Sequence, residues 1–168
     1  IKTAFIDNFL IVFNQSNFSK AASDFIASLS SQKEEFAKFV VSVLTTISDS
    51  KSKEDSQTVT IENISVKNDV ISSQNCWKII SSIVEYLTDF ENSIVPVVKS
   101  LTSSVESMLG KPFDANRSLI ESQQMCFEKL ALFIDESNHT LFKELFIAVL
   151  GEQSIKISDQ IACFLTEV

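Results

Sequence analysis

The chain has 168 residues, a formal net charge of −8, 45% hydrophobic residues and a mean hydropathy of +0.16. An acidic balance of that size argues against nucleic acid and anionic membrane surfaces, which are recognised by clustered Lys and Arg. No apolar run reaches the roughly 18–20 residues of a membrane span. Two glycines and two prolines are too few turn residues for a sheet-rich domain, so the expected fold class is all-α.

Apolar residues recur at three- and four-residue steps along most of the chain, the pattern of helices with one buried face. The expectation is a bundle of about eight short amphipathic helices. The first, over about 3–14, turns Phe5, Ile6, Phe9, Val12 and Phe13 inward. The second, over about 17–29, uses Phe18, Ala22, Phe25, Ile26 and Leu29. Ser31 followed by Glu34 has capping-box spacing and opens a third helix, running to about Ile47. Residues 48–60, rich in Ser, Lys and Asp, read as a solvated, mobile loop.

A fourth helix over about 72–88 places Trp77, Ile80, Ile83, Val84 and Leu87 on one stripe, and a fifth begins near Ser93 with Pro96 in its first turn. Gly110 with Pro112 marks a helix stop, and Asp114 is expected to cap a sixth helix running to about Glu136. The seventh and eighth are placed over about 139–150 and 155–167, with Gly151 between them.

The end of the chain echoes its beginning. At a spacing of 121 positions, Phe25-Ile26-Ala27 falls on Phe146-Ile147-Ala148 and Leu29 on Leu150. Nine identities lie between positions 16 and 45, against roughly two expected from ordinary residue frequencies. The helices of any amphipathic chain align at some spacing, so biased composition is the competing explanation. Taken as a repeat, residues 1–112 form a five-helix unit and residues 113–168 resemble 1–47, opening a second unit. Such chains build tandem arrays whose neighbours cover surfaces that no single unit buries.

Cys76, Cys126 and Cys163 lack the spacing of metal ligands, so zinc is not expected. The repeat sets Cys126 on Phe5 and Cys163 on Ser42, so both thiols belong to the second copy alone. That co-occurrence suggests a Cys126–Cys163 disulfide, the alternative being free thiols in the core. Sequons for N-glycosylation stand at Asn14, Asn17, Asn63, Asn116 and Asn138. Asn17 and Asn138 occupy equivalent repeat positions, with helix capping as their competing role. Sequons, bridge and a first residue other than Met all fit a secreted protein, although a trimmed chain also starts without Met. A cytoplasmic location is the alternative.

Nothing in the sequence points to catalysis. The single histidine, His139, sits at a predicted helix start, a poor position for a general base or a haem ligand. Acidic pairs such as Glu34-Glu35 and Glu54-Asp55 read as solvated faces. No Gly-rich phosphate loop fits a chain with glycines only at 110 and 151, and no cofactor is expected.

The favoured reading is a non-enzymatic structural or interaction protein, self-associating or binding a protein partner. The fourteen phenylalanines support an alternative, a carrier of fatty acids or other small hydrophobic ligands. Its expected lining is Phe9, Phe13, Phe25, Trp77, Phe133 and Phe146. An intracellular adaptor with reduced cysteines ranks third and an enzyme last.

Overall fold

In the computed structural model, residues 2–13, 19–53, 57–61, 63–108, 111–140 and 143 are described. These residues are mostly helical, and among them lies one small two-stranded sheet. Helix α1 starts as Lys2–Ala4, widens into a π-helical turn over Phe5–Phe9 and continues as Leu10–Phe13. Then follow α2 (Ser19–Gln32) and α3 (Glu34–Lys53), with only Lys33 between them. Strands β1 (Thr58–Ile61) and β2 (Ile64–Lys67) pair antiparallel, Thr58 facing Lys67 and Ile61 facing Ile64. Helix α4 (Ser73–Ile83) ends in a 3₁₀ turn over Val84–Tyr86. Helix α5 opens with a π-turn over Phe90–Ile94 and runs on as Val95–Glu106, and α6 spans Phe113–Ala131.

Helix α4 lies at the centre of the bundle, packed most extensively on α6 and also on α2 and α3. Its stripe repeats at helical spacing, and Trp77, Ile80, Ile83, Val84 and Leu87 are all buried as the periodicity predicts. Ser72 caps it, accepting the Asn75 N–H at 3.2 Å. A buried polar contact ties three helices around the indole. Trp77 Nε1 donates to Ser104 Oγ of α5 at 3.0 Å, and Gln123 Nε2 of α6 donates to the same oxygen at 2.8 Å.

Several expected details are corrected. Of the segment 48–60 expected as a loop, residues 48–53 belong to α3, which continues to Lys53, and residues 58–60 belong to β1, which Thr58 opens. Asp49, Lys51 and Ser52 have protein partners. Ser100 Oγ donates to Asp49 Oδ1 at 2.5 Å, Lys51 Nζ to Ile71 O, and Ser52 Oγ back to Ser48 O at 3.1 Å.

Ser31 does not cap α3; its hydroxyl donates to Ser28 O inside α2. Glu34 instead reaches the turn after α4, accepting from Thr88 Oγ1 at 2.6 Å and from Thr88 N at 3.2 Å. Asp114 does not cap α6. Pro112 takes the cap position, and Asp114 lies in the first turn, where a negative charge complements the helix dipole.

The sixth helix also ends earlier than expected, at Ala131, where Asp135 gathers a turn. Its Oδ1 accepts from Ser137 N at 2.8 Å and Asn138 N at 3.1 Å. Residues 139–140 and 143 are helical. The remainder of the expected seventh helix, and all of the eighth, lie outside the described residues, as does Gly110.

Candidate functional site

The π-helical turn at Phe5–Phe9 shapes the most distinctive surface of the molecule. A π turn takes an extra residue per turn, so it shifts the phase of everything after it. Phe5 and Ile6 are buried as expected and Leu10 is buried too, whereas Val12, expected inward, stands 38% exposed beside Ile11 at 52%. On the facing helix α2, Ile26 is fully buried, but Phe25 is 47% exposed rather than inward.

Five rings run from the core to this surface. Phe5 meets Phe39 edge-on at 5.7 Å and Phe36 edge-on at 6.0 Å. It stacks on Phe9 at 6.1 Å, and Phe9 stacks in turn on Phe25 at 5.7 Å with an interplanar angle of 8°. Each such pair contributes about 0.5–1.5 kcal/mol beyond its area burial. Phe25 is held in place from below while its outer face meets solvent.

Between α1, α2 and the start of α3 lies an open cleft of about 250 Å³, lined by Ala4, Phe5, Phe9, Phe25, Ile26, Leu29 and Phe36. No charged side chain lines it. Its volume exceeds the ~150 Å³ cavity that accepts benzene in an engineered core. It falls below the roughly 300–1,000 Å³ of pockets that bury most of a small-molecule ligand. One or two apolar side chains fit it better than an enclosed acyl chain does.

Of the six phenylalanine and tryptophan positions expected to line a ligand cavity, Phe9 and Phe25 meet here. Trp77 does not, being fully buried in the centre of the bundle, and Phe133 packs half-buried against the core. The side chain of Phe13, and the whole of Phe146, lie outside the described residues. Sequence reasoning missed Ala4, Phe5, Ile26, Leu29 and Phe36 as lining residues, since helical periodicity marks buried faces but not where two of them leave a cleft.

A second cleft, also about 250 Å³, lies among α2, α4 and α6. Lys20, Lys78 and Lys129 rim it together with Asp24 and Glu128, which leaves little net charge to select a ligand.

The remaining expected sites resolve as follows. Cys126 and Cys76 are fully buried and form no disulfide among the described residues; Cys163, the expected partner of Cys126, lies outside them, as does Asn17. Burial pushes the Cys76 thiol up to about 12 and the Cys126 thiol higher still, disfavouring either thiolate. Asn138 is half-buried and bonded through both ends of its amide, Nδ2 donating to Phe133 O at 2.7 Å and Oδ1 accepting from Asp135 N at 2.9 Å.

His139 is exposed, its Nδ1 3.1 Å from Glu136 O. Glu34, Asp89 and Asp135 all titrate below the usual carboxylate range. The leading causes are hydrogen bonds from Thr88 side chain, Asn92 backbone and Ser137 side chain respectively. These bonds hold turns and helix starts together. Among the described residues no group of three or more His, Cys, Asp or Glu is placed to hold a metal, and no helix is long and apolar enough to cross a membrane. No family model, curated protein or solved structure matches the chain.

Proposed function

We propose that this chain is a non-enzymatic, extracellular, repeat-type helical module that associates with a further unit like itself through the α1–α2 face. The observation that carries this reading is Phe25. A large aromatic side chain stands 47% exposed at the mouth of an apolar cleft, stacked on Phe9. Aromatic anchors beside apolar pockets are where protein interfaces concentrate their binding energy.

A second copy is the occupant that the chain itself supplies. The cleft has room for one or two apolar side chains, and α1 projects two, Ile11 and Val12, into solvent. One chain thus carries both an apolar knob and an apolar hole. The 121-residue echo of positions 16–45 supports the same partner, because tandem units meet neighbours of their own kind.

Light scattering across a concentration series, on the wild type and on Phe25→Glu, tests the proposal. The wild-type mass should rise from the 18.7 kDa of one chain toward twice that value. Phe25→Glu should weaken association by on the order of 10-fold or more, equivalent to at least about 1.4 kcal/mol. A wild type that stays monomeric throughout removes the basis of the reading.

The wholly apolar lining favours one further reading, a small hydrophobic ligand seated in the same cleft. A fluorescent fatty acid displaced stoichiometrically from a monomeric chain would favour the carrier over self-association.

A further inference from the structure

We propose that Asn63, at the tip of the β-hairpin, is an N-glycosylation acceptor of this chain. The sequon Asn63-Ile64-Ser65 straddles the two-residue connection and the start of β2. Asn63 is exposed and holds a backbone φ of 69°, in the left-handed region that Asn tolerates better than most residues. Ser65 is exposed as well, paired with Thr60 on the outward side of the hairpin, while Val66 and Ile61 face the core. The sequon therefore projects from the fold, and a bulky hydrated group there displaces no packed side chain.

The other described sequons lack this freedom. Asn116 Nδ2 donates to Pro112 O at 2.8 Å, and Asn138 is half-buried with its Nδ2 committed to Phe133 O. The side chain of Asn63 has no hydrogen-bond partner among the described residues. In the transfer, the Asn63 carboxamide nitrogen attacks the anomeric carbon of a lipid-diphosphate-linked oligosaccharide. A C–N bond replaces the C–O bond, the lipid diphosphate leaves, and one amide proton is lost, so Nδ2 keeps one N–H. A glycan at this tip would also shield a sheet in which both strands are edges, and unpaired edges invite pairing with other chains.

The inference rests on the extracellular reading above, so the test supplies the compartment itself. The full chain is expressed in a eukaryotic host behind a secretion signal, with an appended tag bearing its own acceptor sequon. Glycosidase release in heavy-oxygen water, followed by peptide mapping, should convert Asn63 to labelled Asp. Both Asn63→Gln and Ser65→Ala should remove one glycan, the latter leaving the Asn63 turn intact. An unmodified Asn63 in a chain whose tag is glycosylated overturns the proposal, as does occupancy of Asn116 or Asn138 in its place. The native compartment is read separately, by fractionating the natural source.

Discussion

Trp77 shows how one buried residue fixes the relation of three helices. Its ring fills the centre of α4 while its N–H meets Ser104, which also accepts from Gln123. Trp77→Phe keeps most of the apolar volume but removes the donor and opens a small void. The expected cost is about 1–3 kcal/mol, seen in urea unfolding as a lower midpoint at unchanged slope. Trp77→Ala should cost about 3–5 kcal/mol. A Phe variant as stable as wild type would mean the polar contact holds nothing.

Glu34 acts at the same scale but is tied to pH. Its carboxylate accepts two bonds from Thr88, which lower its pKa from 4.5 in the folded protein. A depressed folded pKa contributes stability that is fully present above 4.5 and lost as pH falls through the folded value. Stability measured against pH should therefore fall on the acid side of 4.5, less steeply in Glu34→Gln. Identical acid limbs in both proteins would rule out this linkage.

At the scale of elements, the hairpin offers the sharpest test. A β-branched residue pays a steric penalty at the φ of 69° held by Asn63, whereas Gly does not. Asn63→Val should destabilise by roughly 1–2 kcal/mol, and Asn63→Gly should stay within about 1 kcal/mol of wild type. Thermal unfolding separates the two.

The elements also show what the sequence made legible. Helix α4 could be read because its apolar stripe repeats without interruption. The hairpin was missed because polar residues 48–57 run straight into it, although Thr58-Val59-Thr60-Ile61 carries the β-branched alternation of a half-buried strand. Scarce glycine argued against any sheet, yet the connection uses Asn at positive φ instead. The inward face of α1 was misplaced beyond Phe9 because the helix widens into a π turn over Phe5–Phe9, a change of phase that regular helical periodicity does not encode.

For the whole molecule, the core is continuous from α1 through α6, and apolar residues left outside it acquire meaning by contrast. Single exposed hydrophobics are ordinary. Ile11, Val12 and Phe25, however, lie on two neighbouring helices that also enclose an uncharged cleft. The candidate site was half legible: phenylalanine richness marked Phe9 and Phe25, but only the folded geometry joined them to Phe36 and set the cleft's size. That size favours a side-chain anchor over an enclosed lipid.

Backbone amide NMR of the uniformly labelled chain, recorded on dilution from millimolar to low micromolar concentration, tests the central claim most directly. Concentration-dependent shifts should cluster on α1 and α2, around Phe9, Ile11, Val12, Phe25 and Leu29, with the α4–α6 core unmoved. Spectra that do not change with concentration, or changes confined to other faces, would contradict association through this surface.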